Sequence, residues 1–400
     1  MKHLFIYTSH FPFTEMSEAF LMPELEAGIN QIFPITLIPV NNATFRRAVP
    51  NGVIVDESLS RSSLISKILC TMLIVRYLRF YKIRDFKILV KPHLFFDAIK
   101  YLYASNLVYQ DLKKRVKKYN DANTVFYSYW LSYTPIAFAL YKYNNPHIRC
   151  KFIARGHGSD IYGIKIGHYY PLRDFVFKYI DTVYTISSYG QSYLLELYPF
   201  ARNKILLSRL GVYRNLSMGK NDGIIRLISC SSVIPLKRVS LIFTSVYNFA
   251  RTYFNYQIEW IHIGSGPLIS DLEEKVERNK RSNLKIELKG LLNNKEILDY
   301  YKQTYITSFL LLSTTEGIPV SIMEAISSGI PVIATDVGGV SEIVNERTGK
   351  LLRCDFQQEE FNKALIEVID CRDSMSESVF QYFEENYDAE KNFYQFYREL

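Results

Sequence analysis

The chain opens with HLFIYT, a short apolar run with aromatic and β-branched members. A polar stretch follows, then SEAFLMPELEAGI with helical spacing, then the apolar run PITLIPV. Unbroken apolar runs of this length suit buried strands, and a 3.6-residue apolar period suits a helix, so the order predicts strand, loop, helix, strand. TVFYSYW, CKFIARGHG and DTVYTIS repeat the strand pattern with helical patterns between them. A second series begins near residue 223. Its strand runs are IIRLISCSSV, YQIEWIHIGSGP, LKIELKG, ITSFLLLST and PVIATDV, and they alternate with helical segments such as PLKRVSLIFTSVYNFARTY and PVSIMEAISSG. Alternation of this kind predicts parallel sheets covered on both faces. The expected fold class is therefore α/β, with two doubly wound units. The polar segment GVYRNLSMGKNDG has three glycines and no apolar period, which places the boundary there. The predicted domains are 1–214, 215–384 and a C-terminal helix over 385–400.

Composition agrees with two globular units. The chain has 400 residues, 48% hydrophobic and 22% charged, too long for one ordinary core and too apolar for extended disorder. Its five cysteines form no CxxC pair, so neither a disulfide framework nor a structural zinc site is expected, and a reducing compartment fits. MKHLFIYTSHFPF is too briefly apolar for a signal peptide, and no uncharged apolar run reaches membrane-spanning length.

Charge is distributed unevenly. From Arg61 to Lys118, 14 Lys and Arg face three acidic residues, a net +11 against +8 for the whole chain. The peptides SLISKILCTMLIVRYLRFYK and LFFDAIKYLYASNLVYQDLKKRVKK in this segment predict two long amphipathic helices, with lysines outside. Such a surface also suits anionic lipid head groups. No nucleic-acid-binding module accompanies the basic helices, so nucleic acid is not an expected partner.

Candidate chemistry concentrates in STTEGIPVSIMEAISSGIPVIATDVGGVSEIVNERTGKL, residues 313–351. Glu316 follows a strand, and Gly317 lets backbone amides approach a ligand closely. A helix starting near Pro319 turns its free N–H groups outward, a site suited to a diphosphate. Glu324, one and a half turns in, is placed to accept from ribose hydroxyls. No D-x-D occurs, so no metal site is expected, and no carboxylate pair supports a hydrolase.

EGIPVSIME carries two glutamates eight positions apart and resembles the E-x7-E signature of the family 4 retaining glycosyltransferases. The continuation SSGIPVIATDVGGVSEIV is similar to that family as well, as are RGHGSDIY, SRLGV, IPLKR, HIGSGPL, KGLLNNKEI and FPFTEMSEAFLMPEL. The resemblance implies the GT-B fold, two Rossmann-like domains facing across a cleft, with the C-terminal helix crossing back. It also implies transfer of a sugar from a nucleoside diphosphate sugar to a glycan or lipid-linked hydroxyl, as in bacterial surface polysaccharide synthesis. No cofactor beyond that co-substrate is implied.

By position, the resemblance gives Glu316 the hydroxyls of the transferred sugar, and Gly317, Ile318, Pro319 and Val320 the donor sugar and phosphate. Glu324 receives the ribose, Lys237 the leaving diphosphate with Arg238 beside it, and His157 the sugar's reacting face. His10 reads as structural. Ser232 stands where many members carry arginine, and Phe11-Pro12-Phe13-Thr14 replaces their paired glycines. A sugar phosphorylase, a nucleotide-sugar epimerase and a non-catalytic nucleotide-sugar-binding partner are the alternative readings. The expected location is cytoplasmic, peripheral on the inner face of the membrane.

Overall fold

The computed structural model describes residues 3–13, 18–29, 34–61, 77, 79–80, 91–163 and 169–400. The chain divides into two compact units, Met1–Arg209 with Phe393–Leu400, and Leu210–Asn392. The sequence pattern puts these divisions at 214/215 and 384/385. Residues 210–214 and 385–392 instead lie together in the second unit. There the Val212 amide donates to Tyr387 O and the Ala389 amide to Val212 O, each at 3.0 Å.

In the first unit the elements are β1 (His3–Thr8), α1 (Met22–Ile29), β2 (Ile35–Pro39), β3 (Val53–Val55), α2 (Pro92–Lys118), β4 (Thr124–Ser128) and α3 (Thr134–Asn144). They continue with β5 (Lys151–Gly156), α4 (Gly158–Ile161), α5 (Arg173–Tyr179), β6 (Thr182–Thr185), α6 (Ser188–Leu197) and β7 (Ile205–Leu207). The seven strands run β3-β2-β1-β4-β5-β6-β7 with every pairing parallel. Strands such as β1 and β4 are buried along nearly their whole length, without the in-out alternation of a half-exposed sheet. Of the two predicted basic helices, the second is α2, which buries Leu102, Leu112 and Val116 against the core. The first lies outside the described residues apart from Tyr77, Arg79 and Phe80.

The second unit comprises β8 (Ile225–Cys230), α7 (Val239–Thr252), β9 (Ile258–Ile263), α8 (Ile269–Arg278), β10 (Leu284–Gly290) and α9 (Asn294–Gln303). It continues with β11 (Ser308–Leu311), α10 (Val320–Ser327), β12 (Val332–Thr335), β13 (Gly349–Leu352) and α11 (Gln358–Asn386). Its sheet runs β10-β9-β8-β11-β12-β13, again all parallel, over a core that includes Trp260, Leu310, Ile333 and Phe361. Strand order reverses between β8 and β11, and the loops that leave their carboxyl ends border the crevice where open α/β sheets bind ligands.

The last helix, α12 (Ala389–Glu399), carries its final residues into the first unit. Phe396 lies 4.4 Å from the Arg155 guanidinium, and the Tyr397 hydroxyl donates to Glu24 O at 3.0 Å. A Cβ at Gly28 would meet the Tyr397 ring at 2.6 Å, so any larger residue there would displace that ring.

Candidate active site

Two loops of the second unit meet at its switch point. After β8 the chain makes a short 3-10 turn, Pro235–Lys237, and Arg238 then takes a left-handed conformation with φ 48° before α7 starts. Arg238 holds this geometry through its guanidinium. Nε donates to Leu312 O at 2.5 Å, Nη1 to Cys354 O at 2.8 Å and Nη2 to Ser313 O at 3.2 Å. The Thr314 amide also donates to Leu236 O at 2.9 Å. Arg238, expected beside the donor, is thus committed to main-chain carbonyls. It acts as a brace that sets Lys237 against the loop after β11.

Lys237 Nζ lies 2.5 Å from Glu316 Oε1, and both residues are half-buried. The Glu316 loop is clamped from its other side by the 336–340 turn. The Gly339 amide donates to Gly317 O at 2.9 Å. Gly338 has φ 60°, and a Cβ there would fall 1.9 Å from Glu316 O, so glycine is needed for both torsion and contact. Ile318 and Pro319 are buried, and Pro319 is the residue at which α10 begins. No side chain caps that helix, while the Ile322 and Met323 amides turn back to Pro319 O. A helix start without a side-chain cap, beside a lysine, suits an anion.

Glu324 is buried on α10 between Met323 and Ala325. Burial pushes its carboxyl up to about 7, opposed by a hydrogen bond from Asn294. The Asn294 Nδ2 donates to Oε1 at 2.5 Å. This asparagine had no role in the sequence reading. Its only signal is the Asn293-Asn294 pair at the start of α9, of which Asn293 makes the capping box with Glu296.

His157 belongs to the first unit, where it follows β5 and begins α4. Its amide donates to Asp160 Oδ1 at 2.6 Å, and Asp160 Oδ2 accepts from the Leu131 amide at 2.7 Å. A carbonyl only accepts, so the 3.0 Å contact between His157 Nε2 and Tyr129 O puts the proton on Nε2. Burial, helped by the Arg155 charge, lowers the His157 pKa to about 3, and the ring is neutral at physiological pH. Phe20, Tyr129 and Trp130 surround it at 4.6–5.2 Å between ring centroids.

Sequence reasoning also missed Glu18. Its carboxylate accepts from the amides of Ser9, His10 and Phe11 at 2.7–2.8 Å and from Trp130 Nε1 at 2.5 Å. It therefore fixes the loops after β1 and β4, the switch point of the first sheet. His10 is exposed there.

Residues 226–371 match the family model described as Glycosyl transferases group 1. An uncharacterized glycosyltransferase of Methanocaldococcus jannaschii is 27% identical over 221 residues, 53% of this chain and 57% of that one. WcaL of Escherichia coli, named for colanic acid biosynthesis, is 27% identical over 219 residues, 51% of this chain and 52% of its own. The chain thus spans about half the length of the curated relatives it matches. Among solved structures, the lipopolysaccharide outer core galactosyltransferase WaaB superposes with TM-score 0.69 at 15% identity, covering 100% of both chains. Anabaena HepE in complex with UDP superposes with TM-score 0.65 at 12% identity, over 100% of this chain and 99% of that one. Residues 226–371 thus match the group 1 glycosyl transferase model, and the chain has the GT-B fold of these structures.

Proposed function

We propose that the protein is a retaining glycosyltransferase acting on a nucleoside diphosphate sugar. The bond from the anomeric carbon to the diphosphate breaks and a bond to an acceptor hydroxyl forms on the same face. The acceptor proton passes to the departing diphosphate. The observation that carries this reading is the Lys237–Glu316 pair at the sheet's switch point, beside the start of α10 and eight residues from Glu324.

Each group suits a separate part of the donor. Lys237 and the amides around Val320 offset charge on the leaving diphosphate, most strongly as that charge develops. Glu316 accepts from sugar hydroxyls, and Glu324 from the ribose. Donor entry exchanges the Lys237–Glu316 contact for contacts of each side chain with the donor. His157, being neutral, contributes hydrogen bonding to the sugar rather than charge. No metal is assigned a role.

The acceptor reading is a lipid-linked or polysaccharide glycan. Relatives named for colanic acid and teichuronic acid biosynthesis support it. So does the face of α2 that exposes Lys113, Lys114, Lys117 and Lys118, which suits an anionic membrane surface. No described helix is long and apolar enough to cross a membrane.

A panel of nucleotide sugars, read by melting temperature, tests the donor site. At least one should stabilise the wild type, and Glu324→Ala should lose the response. Lys237→Met should lower nucleoside diphosphate release by about 100-fold or more. Stabilisation by no nucleotide sugar, or an unchanged response in Glu324→Ala, rules the assignment out. Transfer to inorganic phosphate would identify a phosphorylase, and binding without turnover against any acceptor a non-catalytic partner.

A further inference from the structure

The start of α9 carries two adjacent asparagines with different duties. Asn293 Oδ1 accepts from the Glu296 amide at 3.0 Å, and the Asn293 amide donates to Glu296 Oε2 at 2.8 Å, which completes the cap. Asn294 is the first helical residue and is free of that task. Its side chain leaves the helix and donates to Glu324 Oε1 across 30 positions of sequence. Glu324 Oε2 has no hydrogen-bond partner among the described residues, and 8% of the side chain's residue surface stays exposed. The carboxylate is therefore tethered by one oxygen and open at the other.

We propose that Asn294 is a positioning residue that locks Glu324 so that its second oxygen reads the vicinal hydroxyls of a ribonucleoside ligand. This rests on the donor-site reading above and adds a determinant to it. A carboxylate accepts two hydrogen bonds from a 2′,3′-diol only if its plane is fixed. A buried carboxylate with no tether turns about its last bond, which is broad and two-fold. The amide is a suitable tether because it donates without carrying charge, so it favours the ionised form without competing for the ligand as a cation would. The other titratable groups that face Glu324 are Cys230 at the end of β8 and Tyr301 on α9, and burial keeps both protonated.

Binding of UDP, GDP and ADP, each beside its 2′-deoxy form, is measured by calorimetry from pH 6 to 9. Wild type should prefer one ribonucleotide over its deoxy form by about tenfold or more, as expected for a site built to pair a hydroxyl. Its affinity should rise with pH as Glu324 ionises around 7. Asn294→Leu should bring the ribo-to-deoxy ratio to within about twofold and move the pH midpoint upward, since it removes a donor to the charged form. Asn294→Ser, which keeps a shorter donor, should fall between them. Glu324→Gln should abolish both the ratio and that pH step. If Asn294→Leu does not fold, the serine variant carries the test.

An unchanged ratio and midpoint in the Asn294 variants overturns the positioning role while leaving the donor site standing. Equal binding of ribo and deoxy forms by wild type overturns ribose reading by Glu324. Binding of none of the six nucleotides overturns the donor site itself.

Discussion

Glu324 sits on a helix whose neighbouring positions Ile322, Met323, Ala325 and Ile326 are all buried and apolar. A carboxylate there weakens the fold, because an ion is withdrawn from water and receives only a neutral amide in exchange. The sign follows from its raised pKa. Between about 4.5 and 7 the folded protein holds a proton that the unfolded chain has released, so stability falls as pH rises through that window. Above it the cost is complete. Glu324→Gln keeps an acceptor for Asn294 and removes the titration. Ligand-free, it should be more stable than wild type by about 2–3 kcal/mol at pH 8 and nearly equal at pH 4, by denaturant unfolding at each pH. The same gap at both pH values would show that the carboxyl is not held near 7. A residue that costs stability where the donor is expected to bind marks a site shaped for a ligand rather than for packing.

At the scale of elements, the basic segment and the loops that carry Lys237 and Glu316 make a contrast. These loops are short and locked: Arg238 ties the β8–α7 turn to the ends of β11 and β13, and Gly338 admits the 336–340 turn against Glu316. Helix α2 instead leaves four lysines in solvent on one side, over a buried side that includes Val108, Leu112 and Val116. Lys113 and Lys118 place Nζ 5.8 and 5.2 Å from the ring centroids of Tyr109 and Tyr119, while both residues stay exposed. Four such charges near an anionic surface contribute on the order of 1 kcal/mol each. Co-sedimentation with phosphatidylserine-containing vesicles should therefore weaken with added salt and fall sharply when all four are changed to glutamine. Absence of binding at every salt concentration would remove the membrane from the acceptor reading.

At the scale of the whole molecule, the chain's last residues complete its first unit. Arg155 and Glu24 are fully buried 3.5 Å apart, and Arg155 also donates to the Tyr127 hydroxyl at 2.7 Å and to Ser208 O at 3.0 Å. Phe396 covers the guanidinium. Phe396→Ala should cost about 3–5 kcal/mol, and hydrogen exchange should place the loosening in β4–β6 and leave β8–β13 protected. Equal loosening of both sheets would contradict the packing of this tail on the first unit alone. The sequence by itself determined the alternation of strands and helices, and hence two parallel sheets, because apolar periodicity is a local property. It also determined that Glu316 and Glu324 share one loop and helix, since their spacing is local too. Tertiary structure alone decided that Lys237 meets Glu316 across 79 residues, that Asn294 meets Glu324 across 30 and that Glu18 meets Trp130 across 112. It likewise decided that the Arg238 guanidinium reaches the carbonyls of Leu312, Ser313 and Cys354. Hydrophobic burial sets the strand order, and strand order decides which loop ends become neighbours. A polar side chain's partner is fixed only after that, and nothing in its own stretch of sequence records it.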